Sequence, residues 1–183
     1  MKSSDKLNLE VYRLFVRIIS EAETIESMGD QLSQLMVGAM GIKGAALYIL
    51  DPEQEMLALL SSAGLSNEYI QKGPLLMDPS IRLRANREPV MVSDVQKSSQ
   101  LQYPDAANAE GVRALISCPV SMRGKIIGAL RLYHFEPWEI STAELDILDM
   151  LTRNIGMALM YFRVVRAVAE IKETVDDIHP VWL

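Results

Sequence analysis

Apolar residues recur at helical spacing over residues 5–22. Leu7, Val11, Leu14 and Ile18 form one stripe, and Tyr12, Phe15 and Ile19 form a second. Two stripes on one helix predict two packing neighbours. A second helix is predicted from Ile25, Met28, Leu32, Leu35, Met36 and Ala39, with Thr24 (or Ser27) as its cap and Gly41 as its stop. The pattern then shortens to strand-like runs, Gly44–Leu50 and Met56–Ser62, joined by an Asp51-Pro52 turn. Residues 64–112 are the least regular. Gly64 and Gly73-Pro74 interrupt them, Asp78-Pro79 opens a short predicted helix Ser80–Ala85, and Val90–Val92 reads as a short strand. Asn108–Gly111 is expected to be one last helical turn.

Residues 114–122 and 126–134 are apolar, β-branched or small, and Arg123-Gly124 between them suits a two-residue hairpin turn. With that turn Met122 faces Lys125. Continuing the register sets Cys118 opposite Ala129, Ser117 opposite Leu130, Ile116 opposite Arg131, and Leu115 opposite Leu132. Both faces of this hairpin are largely apolar, so a central strand pair covered on both sides is expected. Gly128 leaves room for the close approach of a helix or ligand, or marks a local twist.

A long helix begins at Ser141, whose side chain and Glu144 three residues later form a capping box. A seam runs through Leu148, Leu151, Ile155, Ala158, Phe162, Val165 and Ala169 and fades at Lys172. Leu145–Ala158 is expected to cover the sheet, and the part beyond Phe162 to serve self-association.

The chain has 183 residues, 49% hydrophobic and 23% charged, which fits one folded domain with flanking helices. Its net charge of −6, with Lys and Arg scattered, argues against nucleic acid as a partner. No apolar run reaches 18 residues, and MKSSDKLNLE lacks the apolar segment of a signal peptide, so a cytoplasmic protein without membrane contact is expected. The one cysteine suits a reducing compartment.

Catalytic patterns are sparse. The two histidines, His134 and His179, sit far from any nucleophile–base spacing, and Cys118 lies in an apolar run where packing is the simpler role. No zinc, Walker or dinucleotide motif occurs. The acidic pairs Asp146/Asp149 and Asp176/Asp177 read as solvated surface, and the eleven methionines as core filler.

The run Gly111-Val-Arg-Ala-Leu-Ile-Ser-Cys-Pro-Val, then Arg123-Gly-Lys-Ile-Ile-Gly-Ala-Leu, then Trp138 and the helix from Ser141, resembles the second half of a GAF domain. The earlier helix, the two strands and the segment ending Ser93-Asp94-Val95 fit the first half, so the resemblance covers roughly residues 24–165. It implies an α+β fold: a central antiparallel sheet of five to six strands, terminal helices on one face, short helices and loops over the other. Residues 1–23 then form a leading amphipathic helix and 166–183 the end of the last helix and a tail.

By that likeness the face bearing Leu115, Ser117, Leu130, Leu132 and His134 looks into a ligand pocket, with Ile81, Met91, Asp94 and Tyr103 contributing from the other side. Plain packing is the simpler role for most of these, and a helix cap for Asp94. Ser117 stands out because a buried hydroxyl needs a partner, which a backbone carbonyl could supply. Arg131 interrupts the opposite face, where it snorkels, pairs with an acid or binds an anion.

The family's known ligands fit poorly. Cyclic-nucleotide binders of the family carry an Asn-Lys pair followed by Phe and then Asp-Glu, whereas this chain has His134-Phe135 and then Glu144-Leu145, so the lysine–carboxylate pair is missing. No cysteine lies in 64–112 for bilin attachment, and one cysteine cannot complete the cycle of the free methionine sulfoxide reductases. Haem on His134 alone is disfavoured, and the cofactor stays unknown. The resemblance therefore implies a non-catalytic, small-molecule-sensing or regulatory domain acting as a homodimer through its terminal helices, with output through a partner protein in trans. A structural dimerisation module without ligand is the alternative, favoured by the leucines on the expected pocket face.

Overall fold

The computed structural model describes residues 7–51, 53–76, 88–98 and 101–178. Helix α1 (Leu9–Glu21) starts at Asn8, whose side chain accepts from the Glu10 and Val11 N–H groups. Helix α2 (Ile25–Met40) begins with a reciprocal Thr24–Ser27 capping box and stops at Gly41 in the left-handed region, φ 58°. Strands β1 (Gly44–Asp51) and β2 (Met56–Ala63) follow. The short helix α3 (Asn67–Ile70) and strands β3 (Leu75–Leu76) and β4 (Val90–Val92) come next. A 3-10 turn at Val95–Lys97 precedes helix α4 (Pro104–Glu110), then β5 (Ala114–Met122), β6 (Lys125–His134) and helix α5 (Thr142–Ile178).

The six strands form one antiparallel sheet in the order β3-β2-β1-β6-β5-β4. Its central strands are buried on both faces, as the unbroken apolar runs predict. Strand β4 stops opposite Ser117, so Pro119, which has no N–H to donate, sits where β5 has no partner on that side.

The hairpin turn is Arg123-Gly124, with φ of 47° and 78°, and Met122 pairs Lys125 as predicted. One step further the register changes. Ser121 pairs Ile126, yet Val120 pairs Gly128, so Ile127 is an extra residue in β6. Every pairing beyond this bulge is shifted by one from the simple register. Ser117 faces Arg131, Leu115 faces Tyr133, Ile116 faces Leu132, and Cys118 faces Leu130. Because side chains alternate, that single residue exchanges the two faces of β6 relative to expectation. Gly128 answers to a different neighbour than a helix or ligand. A Cβ there would lie 2.3 Å from the Tyr48 carbonyl oxygen of β1.

One face of the sheet is closed by α1, α2 and α5. Phe15, Met28, Leu32, Met36, Leu47, Ile116, Cys118, Leu130, Leu132, Leu151 and Ile155 make a continuous apolar core there. Each fully buried leucine in it is worth about 1.5–3 kcal/mol of transfer free energy. The Ser33 and Ser61 hydroxyls, buried between α2 and β2, satisfy each other at 3.0 Å. Helix α5 is anchored by the predicted box, with the Ser141 N–H donating to Glu144 and the Glu144 N–H to Ser141.

The expected seam on α5 divides in two. Leu148, Leu151, Ile155 and Ala158 are buried on the sheet, while Val165 and Ala169 are exposed. Residues 80–85, where a short helix was expected, lie outside the described residues.

Candidate functional site

The other face of the sheet has a different composition. Strands β1, β5 and β6 present Ala46, Tyr48, Leu115, Ser117, Ala129, Arg131 and Tyr133 to it. Helices α3 and α4, with the segment leading into β3, lie over it and bring Tyr69, Leu75, Val95 and Ala107. A sheet face floored by alanines and a serine, but carrying an arginine and two tyrosines, with a third brought by α3, is unlike a packed apolar layer.

Arg131 sits between Ala46 of β1 and Ser117 of β5, only 5% exposed. Its guanidinium carbon lies 5.9 Å from the Tyr48 ring centroid. Tyr69 meets Tyr133 edge to face at 5.6 Å, and the Lys72 ammonium stands 3.7 Å above the Tyr69 ring while donating to the Tyr69 carbonyl at 2.8 Å. Two cations and three phenols therefore share this side.

The electrostatics follow from that crowding. Burial, then the neighbouring Tyr133 phenol, drives the Tyr48 hydroxyl far above its usual pKa, and burial with Tyr133 does the same to Tyr69. Burial first and the charge of Arg131 second lower Lys72 to about 8, against an opposing pull from Glu110. Among the described residues, two hydroxyls on this face are buried outside ordinary hydrogen-bond geometry: Ser117 Oγ and Tyr133 Oη. The Tyr133 hydroxyl lies beside the Tyr48 phenol and favours its protonated form. Orphaned hydroxyls in a native interior are uncommon and need a reason.

The frame around this face is tied by polar contacts. Glu110, at the end of α4, accepts from the Ser66 hydroxyl and N–H and pairs with Lys43 at 3.0 Å. Ser66 in turn caps α3. Burial raises the Glu110 pKa, but the bonds from Ser66 and Lys43 outweigh it and hold the carboxyl below its usual value. A groove of about 470 Å³ opens beside this cluster, lined by Lys43, Tyr69, Ala106 and Ala109 among others. Tyr103 Oη and the Gln102 amide both donate to the Pro74 carbonyl at 2.8 Å, clasping the strand-β3 segment to the start of α4.

The structure distributes the residues expected at a pocket over several places. Ser117 and Leu115 lie on the face just described, and Tyr103 packs at its margin with its hydroxyl used in the Pro74 clasp. Leu132 and Leu130 are in the helix-covered core, displaced there by the Ile127 bulge. His134 follows them to that side. Its ring stacks on Phe135 and Trp138, at 4.6 and 5.3 Å, and its Nδ1 accepts from the Glu136 N–H. Met91 alternates with Val92 and also packs toward the helix core. Asp94 caps the 3-10 turn through the Gln96 N–H and pairs with Lys97 and Arg113. Burial raises its pKa, but those partners outweigh it and leave the carboxyl below its ordinary value. Ile81 lies outside the described residues.

The simple register sets Arg131 on the opposite face, and Tyr48, Tyr69 and Lys72 carry no local motif. A strand arginine in an otherwise apolar run was the one available signal. Among the described residues no cluster of His, Cys, Asp or Glu could hold a metal ion. Cys118 is buried against the helices, and burial pushes its thiol up to about 12. No helix among the described residues is long and apolar enough to cross a membrane.

The family model described as GAF domain matches residues 20–160. Among solved structures the fold is similar to the GAF domain of an Acinetobacter phosphoenolpyruvate-protein phosphotransferase. That match has a TM-score of 0.72 and 22% identity, covering 86% of this chain and 95% of that one. It is also similar to a free methionine-R-sulfoxide reductase from Neisseria meningitidis in complex with its substrate (TM-score 0.74, 16% identity, 90% and 96% covered). A third is a domain of a putative two-component sensor histidine kinase protein from Sinorhizobium meliloti 1021 (TM-score 0.67, 20% identity, 81% and 99% covered). No curated protein matches the chain.

Proposed function

The chain belongs to the GAF domain family, and on that premise we propose that it is a non-catalytic sensory or regulatory domain of the cytoplasm that binds a small molecule on the Arg131 face and signals through α5. The observation that carries this reading is the pair of buried, unpartnered hydroxyls, Ser117 Oγ and Tyr133 Oη. Leaving both orphaned costs stability, and a bound molecule that hydrogen-bonds them removes the cost. The single, deeply buried thiol argues against thiol chemistry.

The route from site to helix is one strand thick. Leu115 and Ser117 of β5 face the site, while Ile116, Cys118 and Val120 of the same strand face the core that α5 completes. At Gly156 the helix approaches so closely that a Cβ would stand 2.8 Å from the Ser121 carbonyl oxygen. A ligand changes the output only if it binds two arrangements of this unit with different affinity.

Beyond the sheet, α5 carries Met157, Tyr161, Val164, Val168 and Ile171 exposed, at alternating steps of four and three. That is the repeat of a coiled-coil seam, and it supports a homodimer through the terminal helices, from which a partner protein takes the signal. Light scattering of the wild type and of a Val164→Glu, Val168→Glu variant tests it. A dimer that becomes a folded monomer is expected, and a wild-type monomer at micromolar concentration overturns it.

Native mass spectrometry before and after denaturation tests the ligand. An excess mass released on denaturation is the expected result. A bare dimer, in which Ser117→Ala and Tyr133→Phe both clearly destabilise the fold, favours a second reading in which the exposed seam is the whole function, a structural dimerisation module.

A further inference from the structure

A second opening lies beside the helix core, where α5 leaves the sheet. It is a groove of about 540 Å³ between the start of α2, the neighbouring ends of β1 and β6, and α5. We infer that it binds a free amphiphile with an aliphatic body and an anionic head, at a site separate from the Arg131 face. Its walls include Ile25, Ile49, Ile127 and Phe162, each only half-buried, so an apolar surface stays open to water. Ile127 is the extra residue of the β6 bulge, and it packs toward this side of the sheet.

The charge of the groove has one sign. Lys125, Arg163 and Arg166, all exposed, line it, and no acidic side chain does. Arg166 already pairs with Glu170 at 3.0 Å, so the attraction rests on Lys125 and Arg163. Neither of these forms an ion pair among the described residues. An apolar trough beside uncompensated cations complements a molecule that is apolar at one end and acidic at the other. A neutral hydrocarbon leaves the cations unused, and an inorganic anion leaves the isoleucines wet. A second copy docked through the exposed seam of α5 does not fill the groove. Phe162 and Arg166 each lie two residues from Val164, about 200° around the helix, and so face away from that seam.

The test uses the full chain and titrates octanoate, with 1-octanol as its uncharged analogue, both below the concentrations at which they aggregate. Octanoate is expected to shift the methyl NMR signals of Ile25, Ile49 and Ile127. It should bind at least about tenfold more tightly than 1-octanol, the margin of a charge-assisted contact. Hexanoate, shorter by two methylenes, should bind roughly tenfold more weakly than octanoate. Lys125→Gln and Arg163→Gln, both at exposed positions, should each weaken octanoate several-fold and leave 1-octanol unchanged. Arg153→Gln, on α5 outside the groove, should change neither.

Equal binding of octanoate and 1-octanol overturns the anionic head, as does unchanged octanoate affinity in the folded double glutamine variant. Absence of binding overturns the site itself, and so does octanoate that moves the Leu75 and Leu115 methyls instead of the isoleucines. Binding seen only in the Val164→Glu, Val168→Glu monomer overturns it too, because a second copy then covers the groove. None of these outcomes counts against the reading of the Arg131 face, which native mass spectrometry decides.

Discussion

The two faces of this sheet are made by alternate residues of the same strands, yet they obey different rules. On β5, Ile116, Cys118 and Val120 join an apolar core with the helices, in which the buried serine pair Ser33–Ser61 is mutually satisfied. Leu115 and Ser117, one step away, look onto an arginine, three tyrosines and two unpartnered hydroxyls. The helix face is optimised for the folded chain alone. The other face sets polar side chains among aromatic rings, with two hydroxyls buried outside ordinary hydrogen-bond geometry.

Substitutions can break or sharpen that contrast. The largest effect is expected in the helix core, where Leu132→Ala should cost about 2–5 kcal/mol by urea denaturation, since it deletes buried methyl groups and leaves a cavity. A loss of under about 1 kcal/mol would put Leu132 outside the core.

Next comes the frame of the polar face. Glu110→Ala removes two bonds to Ser66 and the Lys43 pair, for an expected loss of roughly 1–3 kcal/mol at neutral pH. The sign with pH follows from its lowered pKa. The stability Glu110 contributes is full above the ordinary carboxyl value of 4.5 and is lost as pH falls through the lower folded value. The acid limb of the wild-type stability curve should therefore be steeper than that of the variant, and parallel limbs would sink the assignment.

The third prediction has the opposite sign. Ser117→Ala and Tyr133→Phe each remove a buried group with no partner, so the ligand-free protein should be unchanged or more stable by up to about 1 kcal/mol. A clear destabilisation of both would show that the hydroxyls are satisfied within the chain. The smallest effect is expected at the exposed pair Asp149–Arg153. Asp149→Asn should change stability by less than about 0.5 kcal/mol, and less still in high salt.

Much of the helix face was legible in sequence. Thr24, Gly41, Ser141 and Glu144 are punctuation whose meaning is local, and the stripes of α1 and α2 repeat often enough to declare their buried sides. The polar face was legible only in part, for two physical reasons. Its register depends on Ile127, an extra residue that looks like any other strand isoleucine and yet moves Arg131 and Tyr133 to the side of Ser117. Its other members, Tyr48, Tyr69 and Lys72, come from different elements and are neighbours only after folding. Asp94, His134 and Met91 had the chemistry of site residues but are used as a cap, a stacked ring and packing.

Helix α5 runs unbroken for 37 residues, about 55 Å of rod, of which less than half is seated on the sheet. From Ile155, deep in the core, to Ile178 is about 35 Å at 1.5 Å per residue. The helix is thus a lever with a short arm in the domain and a long arm outside it. A tilt of about 5° at the seat displaces the far end by about 3 Å, more than half of one helical pitch. Sub-ångström motion where β5 meets the helix is thereby magnified at the tip.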